Sequence, residues 1–400
     1  MADRLRTPAG GAVVVTAPQP GRFALPRPRR SWFLADRAAT WPVRLLAAVS
    51  AGWLLFCALQ EALTGRAWFW VVPGAAPPPV LLGVPLLVLL AALALRLRRG
   101  RGRVRWPAVM GVLSLAVGLD QSGLTLAAAT ADRTVPPGAI HVVAQNTEYW
   151  GSDVDPDRFY AYLKAQNADV YLLQEYLHWD DAAGADGARE VDDTARLKRE
   201  FPGYQVVTRG ELVTLSRFPV VAQPPVGPDQ ELRARGEGDW SRVFAGAKVL
   251  RTDLAVNGSV MSFYNVHMLV PVAYGMPPQD FPADVHRRQR ERRQQFDGLV
   301  RDVRANPDPL FIAGDFNTNA GMGDLNELRG LTQDAADAGD TVLPMSWDAG
   351  SWHDWWRFDW AFTAHGSRTH RYSLSSPEGT SDHLRQDAWI TGPATGGTHG

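Results

Sequence analysis

Three long runs almost free of charge, all within the first 131 residues, constrain this chain more than any other feature. No charge falls between Leu45 and Leu59, and the apolar run extends from about Trp41 to Leu63 once Arg44 reaches back to one interface and Glu61 sits at the other. Ala67 to Leu95 is again uncharged, with the Pro-rich PGAAPPP ahead of VLLGVPLLVLLAALAL, so a second span is expected at about 80–97. A third run, Trp106 to Ala131, is interrupted by Asp120 and Gln121, and an acid at mid-bilayer costs about 2.5–3.5 kcal/mol on insertion scales. The expectation is a transmembrane region over residues 39–131, with spans at about 41–63, 80–97 and 106–131. Buried helices of a soluble core, or a cleaved leader ending at TLAAATA, are the weaker readings of the same stretch.

Arginine sets the orientation, because short loops rich in Lys and Arg stay in the cytoplasm. Eight arginines precede the first run (Arg4, Arg6, Arg22, Arg27, Arg29, Arg30, Arg37, Arg44) and six lie in RLRRGRGRVR between the second and third, against Arg66 and Arg133 on the other side. The N-terminus is therefore expected in the cytoplasm, behind a basic disordered tail over residues 1–38, and the remainder outside a multi-pass cell-membrane anchor. Residues 1–135 carry 16 Arg against 5 acids, and the rest 25 Lys+Arg against 37 acids, so a net +11 and a net −12 hide behind an overall −1. Such asymmetry assigns the two parts to different surroundings. The single cysteine, Cys57, excludes an intrachain disulfide and any multi-cysteine metal site.

The second part, residues 136–392, alternates short apolar runs with helical patterns and ends in a flexible tail, 393–400. Ile140–Asn146, an amphipathic stretch over 157–167 and Val170–Gln174 read as strand, helix, strand. Further strands are expected at 212–215, 247–254, 260–266, 310–313, 360–363 and 388–391, with a helix over 287–303. The Asn257-Gly258 pair inside AVNGSV is a hairpin turn signal. Many strands and few helices indicate an α+β sandwich with largely antiparallel sheets.

Polar residues gather where those strands stop: Asn146, Glu175 in YLLQEY, Asn265 and His267 in FYNVHM, Asp315 and Asn317 in FIAGDFN, Asp359 before WAFT, and Asp382 with His383 ahead of the last strand. Each alone is an ordinary turn or cap residue; together they mark one edge of a sandwich as a site. In order and spacing, VVAQN, LLQEY, TLSRFPV, FYNVHM, FIAGDFNT, RFDWAF and TSDHL resemble the endonuclease/exonuclease/phosphatase superfamily over about residues 138–392. The resemblance implies a four-layer α/β/β/α sandwich with a divalent metal at one end. It implies Glu175 as the principal metal carboxylate, with Asn146 beside it, Asp382 as a further or metal-proximal ligand, and Glu148 where some relatives place another acid. Asp315 resembles the residue that orients or deprotonates the attacking water, and Asn317 the one that fixes the phosphate. His383, held by Asp359, would donate to a phosphoryl oxygen, and His267 resembles a second histidine near the leaving group.

Hard oxygen ligands without cysteine suit Mg²⁺, with Mn²⁺ as substitute. Two segments depart from the family pattern: Arg385, Gln386 and Asp387 intervene before Ala388, which predicts a late start to the last strand, and 345–360 is crowded with Trp347, Trp352, Trp355, Trp356 and Trp360. Trp360 is expected in the core, and Trp355 and Trp356 at the substrate or the membrane interface. The apolar stretch 269–282 is expected as a loop at the rim, and the five arginines among Arg287–Arg293 as a solvated basic helix face, one or two of them reaching phosphate in the sharper alternative. About nine residues separate the anchor from the first strand, a reach of roughly 30 Å at most. Together these features predict a membrane-anchored phosphoesterase acting outside the cytoplasm, by preference a phosphodiesterase, on a bilayer-associated ester such as a phospholipid headgroup. An extracellular nuclease and a catalytically silent phosphate-binding module are the alternatives. Nucleic acid is disfavoured as a partner by the acidic domain, and no protein partner is inferable.

Overall fold

A computed structural model describes residues 41–99, 104–236, 239–273, 277–348, 350 and 353–392. The basic tail over 1–38, the C-terminal tail over 393–400 and Trp352 lie outside the described residues. Among the described residues fourteen strands follow the apolar helices: β1 (Ile140–Asn146), β2 (Val170–Gln174), β3 (Leu177–Trp179), β4 (Ala188–Glu190), β5 (Gln205–Arg209), β6 (Leu212–Ser216), β7 (Val220–Ala222), β8 (Val249–Val256), β9 (Ser259–His267), β10 (Leu310–Asp315), β11 (Gln333–Asp334), β12 (Asp359–Ala364), β13 (Arg368–Ser375) and β14 (Arg385–Thr391). They form two six-stranded sheets, ordered β13-β14-β1-β2-β6-β5 and β11-β12-β10-β9-β8-β7, with a small β3-β4 hairpin aside. Each large sheet has one parallel pair at its centre, β1 with β2 and β9 with β10, and is otherwise antiparallel.

The period-two alternation of the strands builds the layers. Val142, Ala144, Val170 and Leu172 meet Phe263, Phe311, Ala313 and Ala361 between the sheets. On the outer face of the first sheet, Val143, Tyr171 and Leu173 pack on Phe159, Tyr160 and Leu163 of the helix Pro156–Ala165. On the outer face of the second, Tyr264, Ile312 and Phe362 pack on Phe296, Leu299 and Val303 of the helix Phe281–Ala305. This is the expected α/β/β/α sandwich. Asn257 and Gly258, at φ +51° and +84°, turn β8 into β9, as two-residue hairpins require.

Three details correct the sequence reading. The last strand begins at Arg385, not late, because Arg385 and Asp387 share one face of it and pair with each other at 3.0 Å, with Ser375 and Tyr162 beside them. The arginine run lies inside a helix that starts six residues early, and two of its members are buried. Arg288 pairs with Asp284 at 2.7 Å, and Arg292 reaches Asp324 at 2.9 Å and the Leu269 carbonyl, so the run is partly a structural tie and not a solvated face.

The third correction concerns the apolar N-terminal region. Among the described residues two helices, Trp41–Leu63 and Pro78–Arg98, are long and apolar enough to cross a membrane, not three. The run 106–131 breaks into a helix Arg105–Gln121 and a 3₁₀ turn Leu126–Thr130. Its helix is 17 residues, about 26 Å at the α-helical rise. The polar pair that interrupts the run ends the helix: Asp120, exposed, pairs with Arg329 at 3.1 Å, and Gln121, buried, donates to Glu61 at 2.7 Å. The helix lies against both others. At one end Val104 clusters with Val43, Val88 and Ala92; at the other a Cβ on Gly118 would stand 2.6 Å from the Leu81 carbonyl oxygen, so only glycine permits the approach.

Candidate active site

The central parallel strands end together, and their antiparallel neighbours start there. Asn146 closes β1, Glu175 follows β2, His267 closes β9 and Asp315 closes β10, while Asp359 opens β12 and His383 precedes β14. In register, Asp315 stands opposite both His267 and Asp359. Gly314, at φ +144°, sits so close to β9 that a Cβ would lie 2.0 Å from the Val266 carbonyl oxygen; the glycine of GDFN is what lets Asp315 reach the edge.

Asp315 is the centre of the cluster and 1 % exposed. Its carboxylate accepts from Asn146 Nδ2 at 3.1 Å, from the Asn317 N–H at 2.7 Å and from Asn317 Nδ2 at 3.2 Å. His267 Nε2 and His383 Nε2 approach it from either side, each at 3.7 Å. That separation exceeds a hydrogen bond and leaves both nitrogens available to a bound group. Burial raises the Asp315 carboxyl above its ordinary range, against the pull of His383 and His267. His383 Nδ1 is 2.8 Å from Asp359 Oδ2, which also accepts from Ser346 Oγ at 2.6 Å. Burial opposes charging that ring, but Asp359 and Asp315 outweigh it and lift the imidazole well above its usual value.

Glu175 occupies a left-handed position, φ +60°, just past β2. Oε1 accepts from Asn146 Nδ2 at 3.0 Å and Oε2 from the Tyr149 N–H at 2.9 Å. Residues 148–151 are all left-handed, φ +46°, +55°, +59° and +63°, a conformation that costs non-glycine residues about 1–2 kcal/mol each. The turn brings the Tyr149 N–H to Glu175 and Glu148 into the cluster. Burial, then Asp382 and Glu175, push Glu148 up to about 7. Burial likewise raises Glu175. His267, with Nε2 3.9 Å from Oε1, offsets part of that rise; buried carboxylates gathered this closely are the donor chemistry of a hard divalent cation. Asn146 Oδ1 accepts from the Glu148 N–H at 3.0 Å, while its Nδ2 cross-links Glu175 and Asp315. Asp382 is the most open of the group, its side chain 42 % exposed, and accepts from Trp347 Nε1 at 2.8 Å. A second set of ligand atoms, on Asp315, Asp359 and His383, lies within 4.8 Å of one another; there the ring nitrogen Nδ1 already serves Asp359.

Sequence reasoning missed Glu211. It is 1 % exposed, its Oε2 stands 3.0 Å from His267 Nδ1, and its Oε1 accepts from Lys248 Nζ. His267 and Lys248 outweigh burial and hold Glu211 down to about 2, and Glu211 in turn raises His267 against its own burial. In sequence Glu211 is one acid beside a glycine ahead of a strand, indistinguishable from a turn residue. Removing one member of a buried ion pair costs about 3–5 kcal/mol. Lys248→Met should therefore fall near the lower end, since His267 still faces the carboxylate; denaturant unfolding monitored by circular dichroism checks this, and a loss under 1 kcal/mol would mean that the pair is not buried in solution.

Of the tryptophans, Trp360 is core as expected, 0 % exposed, with Arg357 stacked 3.6 Å from its ring. Trp347 and Trp356 pair across a narrow loop beside His383. A cavity of about 590 Å³ lined by Asp120, Thr125, Arg329, Asp334 and Arg357 lies elsewhere, between the end of the third helix and the second sheet, with its ionic groups already paired.

The model of the Endonuclease/Exonuclease/phosphatase family matches residues 138–383, well over half of the chain. The chain belongs to this family. Its members are metal-dependent phosphoester hydrolases, phosphatases and nucleases among them, and the chain is an enzyme of that class. Similar solved structures include a family member from Bacteroides vulgatus (14% identity, 63% of this chain and 98% of that one, TM-score 0.43). A 3′ phosphatase from Neisseria, bound to a product DNA hairpin, aligns at 15% identity over 62% of this chain and 98% of its own, TM-score 0.44. A mannosyl-6-phosphatase from Bacteroides thetaiotaomicron aligns at 15% identity over 63% and 99%, TM-score 0.39. No curated protein matches the chain by sequence.

Proposed function

We propose that this enzyme is a membrane-anchored, Mg²⁺-dependent phosphodiesterase, Mn²⁺ serving in its place, that works outside the cytoplasm on a membrane-associated phosphoester such as a phospholipid headgroup. One observation carries the reading: Trp356 Nε1 donates to the carbonyl of Ala75 at 2.9 Å, three residues before the second apolar helix, and the neighbouring Trp347 donates to Asp382. Two indole rings thus separate the reacting edge from the head of the anchor. A phosphoester held at the surface of a bilayer is within reach there, and an interface-level tryptophan suits that depth. The helix ends support this sidedness: Leu63, Pro78 and Gln121 lie at the catalytic domain, whereas Arg44, Arg96, Arg98 and Arg105 collect at the opposite end, the end expected in the cytoplasm.

Glu175, Glu148 and Asp382, with Asn146 cross-linking Glu175 to Asp315, would hold the cation, which supplies neutralisation of phosphoryl charge. Asp315 takes the proton of the attacking water as the new P–O bond forms. Asn317 and the imidazolium of His383 donate to the non-bridging oxygens. His267, kept charged by Glu211, gives its proton to the leaving oxygen as the ester bond breaks.

The full chain in phospholipid nanodiscs should release headgroups with Mg²⁺ and not without it, and leave plasmid DNA intact. Nicking of the plasmid without headgroup release would make the enzyme a tethered nuclease. A C-terminal fluorescent-protein fusion should be dark and an alkaline-phosphatase fusion active; the reverse would move the site to the cytoplasm.

A further inference from the structure

We propose that the segment joining the first two apolar helices belongs to the catalytic apparatus: residues 60–75 grip both segments that carry the reacting groups and hold them in register, with Trp356 as the positioning residue. The proposal rests on the assignment of Asn317, Asp359, Asp382 and His383 to the site. The first grip lies just past Asn317. Gln60 Nε2 and Thr64 Oγ1 both donate to the Gly321 carbonyl, the latter at 2.8 Å, and Asn319 Nδ2 donates to the Gly74 carbonyl at 3.3 Å. Asn319 Oδ1 in turn accepts from the Gly321 N–H at 2.8 Å, and Gln60 Oε1 accepts from Trp70 Nε1 at 2.6 Å. The backbones approach closely here: a Cβ on Gly323 would stand 3.0 Å from the Thr64 carbonyl carbon.

The second grip is a hydrogen-bonded chain from the anchor to the His383–Asp359 pair. Trp356 donates from Nε1 to Ala75, and its carbonyl accepts from the Ser346 N–H at 2.8 Å and the Trp347 N–H at 3.1 Å. Ser346 Oγ then donates to Asp359 Oδ2 at 2.6 Å, and the Ser346 carbonyl accepts from the Leu384 N–H at 2.9 Å. Trp347 Nε1 closes the chain on Asp382 at 2.8 Å. A rim loop with no such attachment is the mobile part of most enzymes. Misplacing a reacting group by about 1 Å costs about a hundredfold in rate, so a tie that fixes the Ser346–Trp347 turn acts on turnover without touching substrate. The anchor does more than keep the enzyme at the membrane; it completes the site's geometry.

The test uses the full chain in nanodiscs with Mg²⁺ and a soluble chromogenic diester, bis(p-nitrophenyl) phosphate. Trp356→Phe keeps the ring and removes the N–H, and should lower kcat about fivefold with KM unchanged, while the unfolding temperature falls by no more than about 4 °C, the cost of one hydrogen bond. Two glycines inserted between Ala76 and Pro77 slacken the same grip and should reproduce that split. A kcat within twofold of the parent in both variants would overturn the proposal, and so would a fall in kcat that only tracks loss of folded protein. Because the diester is soluble, this readout stands or falls independently of whether the natural substrate is a lipid.

Discussion

Asp315→Asn should lower turnover by at least about a thousandfold while the protein stays folded. A general base contributes about 10²–10⁴ in rate, and Asp315 also sets the charge of its neighbours, since it is among the groups that raise His383 and His267. Asparagine preserves the shape, so the β9–β10–β12 register that carries position 315 has no reason to shift. The local cost is a donor placed among donors: Asn146 Nδ2 and the Asn317 N–H and Nδ2 all point at this carboxylate. That mismatch is worth about 1–3 kcal/mol, a fraction of the stability of a domain this size. A raised imidazole pKa stabilises the folded state below that pKa and ceases to do so as pH rises through it. Removing the Asp315 charge should therefore narrow the pH range of greatest stability from its alkaline side. Single-turnover rates on a chromogenic diester and thermal unfolding followed by circular dichroism separate the two effects. A variant within tenfold of the parent rate would remove Asp315 from the chemistry.

Much of this site was legible because its residues sit where strands stop, and a strand's end is a local signal. The runs IHVVAQN, VYLLQ and LFIAGD announce themselves as short, nearly continuous apolar stretches, and the polar residue that ends or follows each is then placed on one edge by the parallel pairing of β1 with β2 and of β9 with β10. What escaped depends on contacts between distant segments. Glu211 acquires meaning only when β6 crosses behind β9 and brings it to His267 and Lys248. Arg288 and Arg292 lie four residues apart on one helix face, and only the packing of that face against Leu269 and Asp324 distinguishes them from their solvated neighbours. The third apolar run misled for the same reason: Asp120 and Gln121 look like polar residues inside a span until Arg329 and Glu61 appear as their partners. Charged residues inside β14 likewise hid its start, because Arg385 and Asp387 neutralise each other on the sheet.

Glu175→Gln should abolish the response to divalent metal and leave the metal-free protein no less stable than the parent. Glu175 and Glu148 are each raised by burial, Glu148 further by Asp382 and Glu175 itself, while His267 offsets part of the rise at Glu175; a cation relieves the burden that remains. Glutamine takes away one of the repelling charges and keeps an oxygen for Asn146 Nδ2, losing in exchange the acceptor of the Tyr149 N–H. The two changes oppose each other in stability, whereas in metal affinity they do not. Changing groups behind a ligand already costs about 10–100-fold in affinity, so removing the principal carboxylate should exceed that. Calorimetric titration with Mg²⁺ and Mn²⁺, and the rise in unfolding temperature each ion produces, read this without reference to catalysis. The parallel variant His383→Ala decides between the two donor sets. If the hard oxygens around Glu175 hold the ion, His383→Ala keeps the thermal response and loses turnover. If the response disappears with His383 and survives in Glu175→Gln, the ion belongs to Asp315, Asp359 and His383, and the acid–base roles proposed for that trio fall with it.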